Sequence, residues 1–217
     1  MKLTKYTLWI AALAFTLAGC ATPAATRVYT LANPAKTSAT ALSTASPIAI
    51  EVLPVNVPER LKRPQMVLST KDSTQLKILE QDRWSSSFND ELRDAMASGI
   101  ASRLGATDVS RGGRVSGQAI YRIAIALQQF EATPGDKVYA NFGWTVTRLA
   151  GSANTVGEGF IACQSSISKR VGNSADEVAQ GVRVSVEELA QAISANIHDL
   201  NSGMNAQCNS AGANDRQ

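Results

Sequence analysis

At 217 residues, 44% hydrophobic and 18% charged, the chain holds enough apolar side chains for one domain with a substantial core, or two small ones. Its formal net charge of +3 comes with no polybasic run and no basic–aromatic stripe, so the electrostatic footprint of a nucleic-acid binder is absent. One histidine and separated cysteines exclude a zinc cluster, which needs three or four converging ligands.

At the N-terminus, Lys2 and Lys5 precede the apolar run LWIAALAFTL, Leu8 to Leu17, and small residues follow. A basic start, a short apolar stretch and small residues before a cut site form a secretory signal peptide. Ten helical residues cover roughly 15 Å, about half of a ~30 Å hydrocarbon core, which argues against a permanent span. Leu17-Ala18-Gly19-Cys20 resembles the lipobox of bacterial lipoproteins. That resemblance implies removal of residues 1–19 and a covalent diacylglycerol and N-acyl chain on Cys20, with no other cofactor and no metal. Each buried methylene contributes about 0.8 kcal/mol, so three chains hold permanently where one does not. Ala21 stands where an aspartate signals inner-membrane retention in Gram-negative lipoproteins, which implies the periplasmic face of the outer membrane.

Residues 20–27 read as a lipidated tether, 28–203 as the domain, and 204–217 as a polar tail. Val28 to Leu31 is expected as a brief strand, and 33–47 (NPAKTSATALSTASP), without periodicity, as a flexible loop. Ile48 to Val57 is a β-branched run ended by Pro58, hence a strand. Gln65–Thr70 and Gln75–Glu80 flank a turn at 71–74 and read as a hairpin. Ser87 and Asp90 open a helix whose apolar row is Phe88, Leu92, Met96, Ile100 and Leu104, stopped by Gly105. Trp84 is placed to staple the start of that helix through Phe88.

Three strands follow, over 121–130, 138–149 and about 156–169, the first two joined at Pro134-Gly135-Asp136. On the second strand Trp144 alternates with apolar residues and reads as core. A capping box at Ser174 and Glu177 starts a last helix with the stripe Val182, Val186, Leu189, Ile193, Ile197 and Leu200, closed by Gly203. The expectation is a single-domain α/β sandwich with a mixed, largely antiparallel sheet and two main amphipathic helices.

Groups for catalysis are scarce. His198, the lone histidine, lies beside the apolar stripe near the end of the last helix, where a positive charge suits the dipole. Ser166-Ile167-Ser168-Lys169 matches S-x-x-K, but that motif must open a helix, and in a strand i and i+3 face opposite sides. Gly157-Glu158-Gly159 lacks the third glycine and the strand-to-helix context of a nucleotide loop. No catalytic residue is assigned, and an enzyme is not expected. Cys163 and Cys208 either bridge, closing a long loop and pinning the tail, or remain a buried thiol and a dangling one; export permits the bridge.

Three stretches together carry a family resemblance: Tyr29-Thr30-Leu31, the segment VPERLKRPQMV from Val57 to Val67, and Asp82-Arg83-Trp84-Ser85 leading into the first helix. They resemble the PqiC-type (paraquat-inducible protein C) auxiliary lipoproteins of ABC- and MCE-type intermembrane transport systems. The resemblance implies an α/β domain at the outer membrane that receives a periplasmic MCE-domain protein of the PqiB type in lipid transport, with no active site to transfer. A homo-oligomer around that partner's end is expected. Within Val57 to Val67, Arg60, Leu61, Lys62 and Arg63 form either a strand connection with solvated charges or a contact for an acidic partner or phospholipid headgroups. The alternative function is a lipoprotein regulator of a periplasmic cell-wall enzyme.

Overall fold

The computed structural model describes residues 25–32, 47–113, 117–149 and 159–208. Residues 33–46 of the loop expected at 33–47, the turn at 151–154, Cys20 and the last nine residues lie outside these ranges. Eight strands and two helices follow in order: β1 (Arg27–Tyr29), β2 (Ile48–Val52), β3 (Gln65–Ser69), β4 (Leu76–Trp84), α1 (Phe88–Leu104), β5 (Thr107–Asp108), β6 (Ala119–Thr133), β7 (Lys137–Arg148), β8 (Phe160–Arg170) and α2 (Ala175–Asn201).

The α/β class holds, with the mixed sheet divided in two. A small sheet runs β1-β4-β3 and a large one β5-β2-β6-β7-β8. In the large sheet β2 is parallel to both β5 and β6, while β6-β7-β8 is an antiparallel meander. In the small sheet β1 is parallel to β4, and β3 pairs with β4 as an antiparallel hairpin.

Strand periodicity decides which face is buried. On β6 Tyr121, Ile123, Ile125 and Leu127 point inward, and on β7 Val138, Ala140, Phe142, Trp144 and Val146 do the same. Both helices lie on this face. The row Phe88, Leu92, Met96, Ile100 and Leu104 is buried along its length, as are Val182, Val186, Leu189, Ile193 and Ile197 of α2. The helices meet closely at Gly99, where an added Cβ would come within 3.2 Å of the Ala190 Cβ.

The helix ends behave differently. At Ser174 both halves of the capping box form: its hydroxyl accepts from the Glu177 N–H, and the Glu177 carboxylate accepts from the Ser174 N–H. Ser87 occupies the cap position of α1, but its hydroxyl donates to Asp90 instead of accepting from the backbone. Gly105 ends α1 in the left-handed region at φ 61°, as a C-terminal glycine does.

One strand is shorter than expected. β2 stops at Val52 because Pro54 has no N–H to donate. Pairing resumes two residues later, where Asn56 N donates to Ile125 O at 3.0 Å and Leu127 N donates to Asn56 O at 2.8 Å.

Candidate functional site

The segment from Val57 to Val67 is a strap between the two sheets. Pro58 leads into a 3-10 turn, Glu59–Leu61, closed by Leu61 N donating to Pro58 O at 2.9 Å. The strap is tied to the start of α1: Trp84 N donates to Pro64 O at 2.7 Å, and Phe88 N donates to Arg63 O at 3.2 Å. Leu61 points inward and is only 3% exposed, so it offers nothing to a partner. Arg60 and Lys62 are exposed, and Lys62 pairs with Glu59 at 2.8 Å across open solvent, where such pairs contribute little. Arg63 is half-buried, and its Nε is enclosed without a partner among the described residues. Of the four residues singled out in the sequence, three basic ones shape the surface and Leu61 shapes the core.

Beside the strap lies a carboxylate that the sequence reading missed. Glu91, on the buried side of α1, accepts from Leu31 N at 2.9 Å and Thr30 Oγ1 at 3.0 Å through one oxygen. Its other oxygen accepts from the hydroxyls of Ser85 and Ser86. Ser85 N donates in turn to Tyr29 O at 2.8 Å. Glu91 therefore joins two of the motif stretches, Tyr29-Thr30-Leu31 and the serines after Trp84, and its own burial is compensated by four donors.

A second buried carboxylate holds β1 from the other side. Asp82 accepts from Arg27 Nε at 2.7 Å and from the Tyr29 hydroxyl at 3.2 Å, and Arg27 reaches Asp176 at 3.3 Å. Burial, together with the Asp176 and Asp82 carboxylates, pushes the Tyr29 phenol up to about 12.

Aromatic rings fill the space between the sheets. The Tyr29 and Trp84 centroids are 6.5 Å apart, Trp84 and Phe88 stack at 5.3 Å, and Phe88 meets Phe130 at 5.2 Å. The expected Trp84–Phe88 staple is thus present. A shallow crevice of about 300 Å³, open to solvent, lies beside these rings, lined by Leu61, Met66, Leu68, Val178 and Val182 among others. Its interior has room for no more than a water-sized group, so it does not admit an acyl chain in this conformation.

At the opposite side of the domain, Cys163 on β8 is joined to Cys208 in the tail. Nearby, Trp144 Nε1 donates to Asn196 Oδ1 at 3.0 Å, and Asn196 Nδ2 donates to Gln207 O at 2.8 Å. Asn196 is completely buried in α2 and is the second functional group not foreseen from sequence.

The S-x-x-K residues fall where strand geometry places them. Ser166 bonds Tyr139 and Asn141 on the outer face, while Lys169 turns to Glu188 on α2 at 2.7 Å. His198 is half-buried on α2. Among the described residues no three metal-ligating side chains converge, and no helix is long and apolar enough to cross a membrane.

A strap thus joins the two sheets, two buried carboxylates hold β1, and a disulfide pins the segment after α2 to β8. The family model described as ABC-type transport auxiliary lipoprotein component matches residues 29–194, and the chain belongs to that family, the PqiC-like auxiliary lipoproteins. No curated protein matches the sequence. Among solved structures, a crystal structure of an uncharacterized protein is 17% identical, covering 80% of this chain and 99% of its own, with a TM-score of 0.58. Protein XCC0632 from Xanthomonas campestris, of the DUF330 family, is 11% identical, covering 82% of this chain and 97% of its own, with a TM-score of 0.52. At these identities the likeness is one of fold. Membership in the family implies a transporter as partner.

Proposed function

We propose that this protein is a lipid-anchored, non-enzymatic subunit of an MCE-type intermembrane lipid transport system, held at the periplasmic face of the outer membrane, where it docks or organises the periplasmic MCE component. The family match over residues 29–194 carries this reading, because the family is described as a transport auxiliary lipoprotein component. The lipobox ending at Cys20, a short tether before β1, supports the anchor. Arg60, Lys62 and Arg63 on the strap are the proposed contact for an acidic partner surface. The Cys163–Cys208 bridge suits an oxidising compartment.

Crosslinking in intact envelopes, purification of the lipidated protein and mass spectrometry test this. Recovery of an MCE-domain protein, reduced by reversing the charges of Arg60, Lys62 and Arg63, is the expected result. Recovery of a cell-wall synthase with no MCE protein, although one is expressed, would overturn it and leave a regulator in its place.

A further inference from the structure

The small sheet fixes the direction in which the anchor lies. β1 runs parallel to β4, with Arg27 opposite Asp82, Val28 opposite Arg83 and Tyr29 opposite Trp84. Thr26 Oγ1 donates to Gln81 Oε1 at 2.9 Å, which carries the alignment one residue further upstream. A parallel partner leaves no choice of side: the chain comes into β1 from the end of β4 that bears Leu76 and the turn to β3. From Gln81 back to Leu76 is about 17 Å of strand at ~3.4 Å per residue. From Thr26 back to Cys20 the chain spans at most about 21 Å. A chain of that length can bring an acylated Cys20 to the β3–β4 turn.

That end of the sheet is apolar on its surface. Leu76 and Ile78, two residues apart and so on one face of β4, are 44% and 42% exposed. Val28, 64% exposed, lies opposite Arg83 towards the other end of β4 and is not part of this patch. Lys71 in the turn is exposed at the same end of the hairpin, while Lys77, between the two apolar residues, is exposed on the opposite face of β4. Two apolar side chains are far too few for a protein interface, which buries about 800 Å² on each partner. Apolar tips beside a turn lysine do suit the headgroup layer of a bilayer, where the lysine stem lies along apolar material and its ammonium meets phosphate.

We propose that the β3–β4 hairpin rests on the membrane that holds Cys20, with Leu76 and Ile78 among the phospholipid headgroups and Lys71 against their phosphates. This contact sets the tilt of the domain on the bilayer. It rests on the lipid anchor of the preceding section but not on the transport partner.

The test is photo-crosslinking of the full-length protein in cells. Benzoylphenylalanine replaces Leu76 or Ile78, and Thr145 on the outer face of the large sheet in a control. The mass of the N-terminal peptide from the same samples reports acylation of Cys20. Phospholipid adducts several-fold more abundant at 76 and 78 than at 145 are expected. Protein adducts at 76 and 78, or phospholipid adducts no more frequent there than at 145, overturn the contact while leaving an acylated Cys20 and its anchor intact. An unmodified Cys20 overturns the anchor itself and the contact with it.

Discussion

Trp144 and Asn196, on β7 and α2, meet through a buried hydrogen bond of 3.0 Å, and the same asparagine holds the backbone of Gln207. One amide thus joins sheet, helix and tail. Replacing Asn196 by leucine leaves the buried indole N–H unpaired, which costs about 1–3 kcal/mol, and releases the Gln207 carbonyl of the exposed tail. Urea unfolding should show that loss. Reducing the Cys163–Cys208 bond, whose ends lie 45 residues apart, should lower stability by up to ~4 kcal/mol through the entropy of the unfolded chain. The two losses should add to less than their sum, since both release the same tail.

Glu91 is the acceptor on which the N-terminal strand depends. In Glu91→Leu the Leu31 N–H and three hydroxyls lose their partner, for an expected cost of about 3 kcal/mol. Hydrogen exchange should rise at Tyr29 to Leu31 well before it rises at β6 or β7. Uniform exchange across both sheets would contradict this assignment.

Gly181 is required for close approach. A Cβ there would lie 2.4 Å from Val171 Cγ1 and 3.3 Å from Val138 Cγ2. Alanine gains about 1 kcal/mol of helix propensity over glycine, but overpacking costs about 1–3 kcal/mol, and β-branched neighbours yield poorly. Gly181→Ala should therefore lower the melting temperature despite sitting in a helix.

The Tyr29 phenol has an alkaline signature. Its folded pKa is pushed from 10.0 to about 12, chiefly by burial. In that window the unfolded chain has released a proton that the folded one keeps, so stability falls as pH rises from 10 to about 12 and is unaffected by this group below 10. Urea midpoints across this range should fall for the native protein and less steeply for Tyr29→Phe.

The parts legible in the sequence are those whose partners are close along the chain. The apolar rows of both helices, the Ser174–Glu177 box, the hairpin around 71–74 and the Trp84–Phe88 stack all follow from spacings of a few residues. The pairing of β1 with β4, and of β2 between β5 and β6, has no such local mark. Glu91 and Asn196 also hold distant groups, Leu31 N 60 residues from Glu91 and Trp144 Nε1 52 residues from Asn196, which no local spacing marks, although Ser85 and Ser86 lie close to Glu91. A carboxylate and an amide set into otherwise apolar helix faces were the visible signal. Leu61 shows the reverse error: flanked by Arg60 and Lys62 it looked superficial, while the 3-10 turn rotates it inward.

The parallel alignment of β1 with β4 also decides how the domain bears load. A pull on the chain entering β1 at Arg27 would act along the strand axis, with the rest of the sheet resisting from the other end. The rungs to β4, the Arg27–Asp82 pair and the grip of Glu91 on Leu31 are then strained together in shear, not peeled apart one by one. A fastening of three strand residues can in this way serve as a mooring.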